Sequence, residues 1–278
     1  MAAQGRIVGP VPFKDVVQKE EDEHPPEEYA DIISTLPGIT TGFGPLLCYQ
    51  GVWLRPWMVP GVISVQRRLV PRPDDVLLAS PPKCGTSWLK ALFLATIARA
   101  TYSSTSADHP LLRLNPHDCV PHLEALFGAG QEAKLEALPS RRLMHTHMHH
   151  SLLPPSLADC KIVYICREPK DMLVSIKASP DRVLFLRYEE MLLDPVSSVR
   201  ELALFLGVPF TAAEEAAGSP MDICKLCSID TMKDLEANNT GVAGQFVEVP
   251  HQSFFRKGVV GDWANYMTPE MARRRCHR

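Results

Sequence analysis

Lys83, Gly85, Thr86 and Ser87 lie together in the string PPKCGTSW. Ahead of them is a short apolar run, Val76–Ala79. Behind them apolar residues recur at helical spacing (Trp88, Leu89, Leu92, Phe93, Ala95, Thr96). Strand, tight loop and helix together aim free backbone N–H groups and the positive end of a helix dipole at one point. Lys83 adds a compact charge, and the hydroxyls of Thr86 and Ser87 add donors in the first helical turn. Such a loop is a cradle for a phosphate; the plainer alternative is an ordinary strand-to-helix turn. It departs from the nucleoside-triphosphate pattern GxxxxGK[ST], because Lys83 precedes Gly85 instead of following it. A second concentration of chemistry is MHTHMHHSLLP, with His145, His147, His149 and His150. Histidine is the usual general base near neutral pH. The alternation His-x-His-x-His is also a spacing at which zinc can be held, although no carboxylate or cysteine accompanies it locally. Cys224 and Cys227 make a lone CxxC with no second pair, a weaker signal still for zinc or redox chemistry.

These residues need a frame, and the chain supplies alternating strand and helix signals. The run CKIVYIC (160–166) is apolar and β-rich and predicts a central parallel strand. Residues 142–147 predict another strand, and VLFLRY (183–188) a further buried one. EPKDMLVSIKAS begins a helix after Arg167, and 194–206 predicts a helix closed by Gly207. This alternation implies an α/β fold: a single domain with a central parallel sheet flanked by helices and a P-loop-like cradle. Residues 1–28 are polar, acidic and proline-containing, and read as a flexible N-terminal tail. Residues 27–36 predict a short helix leading into the domain, which takes in 29–278. The stretch YQGVWLRPWMVPGVISVQRRL holds Trp53 and Trp57 and reads as an apolar plug over the core. Residues 226–249 are polar and read as irregular.

At 278 residues and 45% hydrophobic, the chain can bury a large core. A net charge of -3 gives no basic footprint for nucleic acid, and clusters such as Arg141 with Arg142, or 273–275, read as solvated surface. No apolar run is long enough to cross a bilayer, and the first residues lack the signal-peptide pattern. Several of the eight cysteines (Cys48, Cys160, Cys166) sit in apolar stretches and read as buried free thiols of a reducing, cytoplasmic setting.

The order Lys-x-Gly-Thr-Ser-Trp resembles the phosphosulfate-binding loop of the cytosolic sulfotransferases, usually written PKxGTTW, with Cys84 and Ser87 the unusual choices. A second signature of that family, RKGxxGDW, recurs from Arg256 to Trp263. Local strings such as NPHDCVPHLE (NPHxxVPxLE in plant members), SLLP, KIVYICR and TPEM resemble the plant type. The resemblance runs from about residue 38 to 271. It implies the donor 3'-phosphoadenosine-5'-phosphosulfate (PAPS), which leaves as 3'-phosphoadenosine-5'-phosphate. It also implies a sulfuryl group moving to the hydroxyl of a small acceptor: a phenolic, flavonoid, steroid or hydroxy acid. On this resemblance Lys83 meets the leaving oxygen, and Cys84, Gly85, Thr86, Ser87 and Trp88 hold the 5'-phosphate, with Trp88 also near the adenine. Arg167 and Ser175, spaced R-x7-S, match the family's 3'-phosphate contacts, and Arg256, Lys257 and Gly258 a third phosphate clamp. Tyr188 matches an adenine contact. The pattern THxxxSLLP selects His147 as general base, and Y-x-G-x-W puts the Trp53 stretch near the acceptor. Cys227 and Ser228 fall where many members carry Thr-Ser. No metal is implied, since lysine and backbone donors meet the charge.

The chain also departs from that family. Tyr188 follows Ser175 by 13 residues, an interval several tens of residues longer in complete members, where it walls the acceptor and helps to cover the donor. The domain is therefore expected to be incomplete after about residue 179, and again at its C-terminus, where MARRRCHR does not resemble the usual final helix. The dimer pattern KxxxTVxxxE is degraded, with Ala264, Thr268, Pro269 and Arg273 at the matching positions, so no oligomer is expected. The alternative to a working transferase is a shortened, non-catalytic relative that holds the nucleotide only. A P-loop kinase is a further alternative, but no acidic magnesium-binding strand is evident. Nucleic acid and membrane are not expected as partners.

Overall fold

The computed structural model describes residues 10–17, 27–42, 44–166, 181–244, 246–266, 268 and 270. Gly38–Thr41 (β1), Gly44–Tyr49 (β2) and Val52–Leu54 (β3) form an antiparallel meander. The turn joining β2 to β3 is Gln50-Gly51, with φ of 49° and 82°, the left-handed pair that a two-residue hairpin needs. Met58–Arg68 (α1) follows, with Pro60 in its first turn, where the missing N–H would have had no helical partner. Next come Val76–Ala79 (β4), Thr86–Ile97 (α2), Leu123–Gly128 (α3), Leu143–Thr146 (β5), Lys161–Cys166 (β6), Val183–Arg187 (β7), Pro195–Phe205 (α4) and Ser219–Leu226 (α5). Strands β4 to β7 make one parallel sheet in the order β5-β4-β6-β7. The expected α/β architecture with a central parallel sheet is the one the chain adopts. The meander goes beyond the plug read from the same residues.

Strand β4 is buried at every position, because helices cover both faces of the sheet. Val76 and Leu78 pack with side chains of α2, α4 and α5, whereas Leu77 packs with those of α1 and α3. That two-sided burial is why the run is uninterruptedly apolar. Each buried leucine contributes about 1.5–3 kcal/mol to stability. Strand β7, expected to be buried, is half-buried with Arg187 exposed, since among the described residues it has a strand neighbour on one side only. Helix α4 keeps its expected bounds. Asp194 accepts the Ser197 N–H at 2.9 Å at the start, and Gly207, with φ 74°, follows the end.

Four further expectations are revised. Arg142 is not solvated surface. It is 1% exposed, grips Asp75 through Nε at 2.9 Å and Nη2 at 2.5 Å, and reaches Glu136 at 2.8 Å. This fork ties the lead-in to β4 to the lead-in to β5. Residues 226–249 are not simply irregular. They hold the helical turns Ile229–Asp234 and Glu236–Asn239, and their polar side chains bond inward: Ser228 caps the first turn, and buried Asn238 joins Asn115 at 2.8 Å. Cys48 is half-exposed, while Cys160 and Cys166 are buried as expected. Within the stretch read as a tail, Phe13–Val16 forms a helical turn whose Lys14 and Asp15 pair with Asp118 and Arg113.

The sheet order also places the functional crevice. From β4 the chain moves to one side to form β5, then crosses to the other side for β6 and β7. In an open parallel sheet the crevice lies outside the carboxyl ends of the strands at such a reversal. The loop after β4 holds Lys83, His147 follows β5, Arg167 follows β6 in the sequence, and Tyr188 follows β7.

Candidate active site

The loop from Ser80 to Gly85 turns the chain sharply from β4 into α2. Gly85 has φ 99°, and a Cβ there would lie 2.6 Å from Tyr188 Cδ2. Only glycine meets both conditions. Lys83 also adopts a left-handed conformation, with φ 66°, and its side chain is exposed; non-glycine residues hold this geometry at a cost of order 1 kcal/mol or more. Among the described residues no side chain caps the first turn of α2, so its leading N–H groups are available at the crevice as donors to an anion. The Thr86 hydroxyl is 2.7 Å from Ser80 Oγ, which ties the two ends of the loop together. These features fit a phosphate group. Trp88 and Tyr188 meet edge to face at 5.7 Å, so the structure brings Gly85, Trp88 and Tyr188 together.

Ser87 is held by a residue given no role in the sequence reading. His117 Nε2 is 2.8 Å from Ser87 Oγ, and His117 Nδ1 is 3.3 Å from Lys90 Nζ. Lys90 is buried in α2 and donates to the Val120 carbonyl at 2.9 Å; burial, against the pull of Cys119, Glu124 and Asp118, brings its pKa down to about 7. His117 also stacks on Phe254 at 4.0 Å, which links the loop to the segment carrying Arg256, Lys257 and Gly258. Those two cations are themselves committed. Asp262 takes Lys257 at 2.7 Å and Arg256 at 3.1 Å. Gly258 has φ 65°, and a Cβ on it would lie 3.1 Å from Ile229. Cys227 is fully buried and Ser228 caps a helix, so neither faces the crevice. Arg167 and Ser175 lie outside the described residues.

The four histidines of the run separate in space. His149 is exposed and its Nδ1 is 2.8 Å from Ser151 Oγ. His150 lies beside it, with ring centroids 4.1 Å apart. His145 and His147, at the end of β5 and just beyond it, turn inward and meet His122 from the lead-in to α3. His147 is the best fixed of them. Its Nδ1 is 2.7 Å from the Ser80 carbonyl. A carbonyl only accepts, so Nδ1 carries the proton and Nε2 is left with its lone pair. Its backbone N–H donates to Glu124 at 2.8 Å. Burial, and then the neighbouring His122, lower the His147 pKa to about 4, so the ring is neutral at physiological pH. Glu124 is fully buried; His122 and His147 outweigh the penalty of that burial and hold its pKa at about 2.

His147 opens onto a cavity of about 310 Å³ lined mainly by apolar side chains, among them Trp53, Leu54, Met58, Pro82 and Tyr164. Trp53, which the Y-x-G-x-W resemblance placed near an acceptor, shares this cavity with His147. Trp57 is placed elsewhere, stacked on Phe246 at 5.9 Å and set edge-on to His122. Ser80, His117, Glu124 and Asp262 were missed as contributors. The string NPHDCVPHLE held His117 and Glu124 in plain view and GDW held Asp262, but neither string says which residues the fold brings to the loop.

A family model described as the sulfotransferase domain matches residues 73–179 and 176–275. The two pieces meet in the interval after Ser175 that the sequence reading expects to be short. Among Arabidopsis thaliana proteins, cytosolic sulfotransferase 11 is 36% identical over 302 residues, covering 91% of this chain and 85% of the relative. Cytosolic sulfotransferase 8 is 37% identical over 294 residues, with 88% of each covered. An alignment of 302 residues that uses 91% of a 278-residue chain leaves some tens of positions with no residue here. In structure, an Arabidopsis thaliana sulphotransferase superposes with a TM-score of 0.64 at 32% identity, over 73% of this chain and 85% of that one. A mouse sulfotransferase complexed with PAP gives 0.55 at 25% identity, over 83% and 92%. Retinol dehydratase, at 18% identity and a TM-score of 0.60, shares the fold. By signature, fold and overall likeness, this chain belongs to the sulfotransferase family and, within it, to the cytosolic sulfotransferases of the plant type.

Proposed function

We propose that the chain transfers a sulfuryl group from PAPS to the hydroxyl of a small acceptor such as a phenolic, flavonoid, steroid or hydroxy acid. His147 is the general base. The observation that carries this reading is the fixed tautomer of His147: Nδ1 is spent on the Ser80 carbonyl at 2.7 Å, while Nε2 is free at an apolar cavity beside an anion-binding loop. PAPS, when bound, supplies an activated sulfuryl group on a phosphate leaving group. The α2 N–H groups and Lys83 neutralise charge at the leaving oxygen, where a compact, mobile ammonium suits a charge that grows during reaction. Trp53 and its neighbours hold the acceptor in an apolar wall, and His147 Nε2 takes the hydroxyl proton as the oxygen attacks. Trp88 and Tyr188 flank the base of the nucleotide, and Arg167, Ser175, Arg256, Lys257 and Gly258 serve its phosphates. The PAP carried by the mouse sulfotransferase relative supports a nucleotide in this crevice. No residue in this scheme requires a metal.

The two-piece match of the family model favours a second reading, in which the chain binds the nucleotide without turnover because part of the acceptor wall is absent. Incubation with radiolabelled PAPS and a panel of phenolic, steroid and hydroxy-acid acceptors separates the two. Transfer to any of them establishes the enzyme. No transfer from folded protein that still binds 3'-phosphoadenosine-5'-phosphate by calorimetry leaves the binding module, and no binding removes both.

A further inference from the structure

Three histidines from two separate segments point their rings at one small volume. Ring centroids of His122, His145 and His147 are 4.5 to 5.0 Å apart, and one ring nitrogen of each lies within 4.8 Å of the others. His145 and His147 each keep an uncommitted nitrogen, and His122 shares its Nε2 with a carboxylate only. His147 spends only Nδ1, on Ser80. His145 is 1% exposed and its Nδ1 has no hydrogen-bond partner among the described residues; the buried Nε2 of His122 meets only the Glu124 carboxylate. Beside them Glu124 is 0% exposed, with Oε1 on the His147 amide at 2.8 Å and Oε2 paired with His122 Nε2 at 3.3 Å. Four polar groups crowded together, with the buried Nδ1 of His145 lacking a hydrogen bond among the described residues, are costly unless something joins them.

We propose that His122, His145 and His147 form a binding site for one late first-row divalent cation, zinc foremost, and that its occupancy stops sulfuryl transfer by taking the lone pair of His147. Only the inhibition rests on His147 acting as base; the site itself rests on the geometry. Imidazole nitrogens suit zinc and its neighbours. A tetrahedral ion about 2.0–2.1 Å from each nitrogen needs them about 3.3 Å apart, so the rings close by at most about 1.5 Å. The Ser80 carbonyl on His147 Nδ1 is the outer hydrogen bond that commonly orients a metal-bound histidine. Glu124 brings a buried negative charge as fourth ligand or counter-ion. His147 lines the cavity wall, which gives the ion a way in, and Trp57 closes the far side against His122. The local reading of the sequence missed this set, because His122 and Glu124 come from another segment and His149 points away.

The test uses the full chain stripped with a chelator, titrated with Zn²⁺ by calorimetry and with Co²⁺ by visible absorption. One equivalent with tetrahedral cobalt bands is expected. His122→Ala and His145→Ala should each weaken binding at least tenfold while the thermal shift given by 3'-phosphoadenosine-5'-phosphate persists, and His149→Ala should retain binding. Zn²⁺ should lower transfer in the native chain, a chelator should restore it, and His122→Ala should need at least tenfold more Zn²⁺. No binding to folded protein, or binding lost only in His149→Ala, overturns the site. Binding at these residues with transfer unaffected overturns the inhibition. Binding at these residues in a chain that never transfers supports the site and removes the proposed activity instead.

Discussion

At the scale of single residues, His147 is held twice, by its ring on Ser80 and by its backbone on Glu124. His147→Ala should therefore remove transfer, lowering the rate by roughly 10²–10⁴, and leave the affinity for 3'-phosphoadenosine-5'-phosphate within about twofold. Single-turnover assay and calorimetry read the two effects separately; unchanged turnover would move the base to another histidine. His109 makes a second prediction, on stability. It is fully buried, accepts the Leu111 N–H at 3.2 Å through Nδ1, and has no partner on Nε2. Burial lowers its pKa from 6.5 to about 4. Between those two pH values the unfolded chain binds a proton that the folded chain does not, so stability rises with pH across the window. His109 thus contributes nothing to the pH dependence above pH 6.5. Below it stability is lost down to about pH 4, by up to about 3 kcal/mol. His109→Asn keeps a cap acceptor and removes the titration. Urea midpoints from pH 7 to 4.5 should fall less steeply in that variant than in the native chain.

At the scale of elements, the site depends on how closely two helices approach. A Cβ on Gly61 of α1 would lie 1.9 Å from the Glu124 carbonyl of α3, and one on Gly128 would lie 3.3 Å from Gly61 Cα. The two glycines face each other across the α1–α3 seam, which carries Glu124 to the His147 amide. Gly61→Ala should force the helices apart, costing about 1–3 kcal/mol as overpacking does. It should also lower turnover more than nucleotide affinity, because α3 supports His147 and not the phosphate loop. Denaturant unfolding and steady-state kinetics check the two parts, and equal loss of both activities would mean general unfolding. This seam was not legible in the sequence. The strand runs Val76–Ala79 and 160–166 were, because burial on both faces leaves an unbroken apolar run. So was the loop at Lys83, because its residue types have few other uses together. What the sequence hid was pairing at a distance. His122 beside His145, Asn115 on Asn238 and Arg142 on Asp75 each join segments that local periodicity treats as unrelated. Polar residues such as Ser228 give no sign in the sequence of the helix start they cap.

For the molecule as a whole, the described residues proposed to meet the nucleotide are spread over three places along the chain: the loop after β4, Tyr188 after β7, and residues 256–258, which reach the loop through Phe254, His117 and Ser87. A ligand that engages all three binds only the folded chain, so it must raise the unfolding temperature. At about 100 times its dissociation constant, 3'-phosphoadenosine-5'-phosphate should add about 2.7 kcal/mol, or about 5 °C for a domain of this size. Adenosine 5'-phosphosulfate lacks the 3'-phosphate. It keeps the donors of the loop but loses the charged contacts assigned to Arg167, Ser175, Arg256 and Lys257, each worth about 1.5–3 kcal/mol. Asp262 already holds Arg256 and Lys257, so the phosphate must share them, and the difference should sit at the low end of that range. At equal concentration the second nucleotide should then give less than half the shift of the first. Equal shifts from the two would mean that the 3'-phosphate pocket is not formed in this chain, and the donor assignment would fall with it.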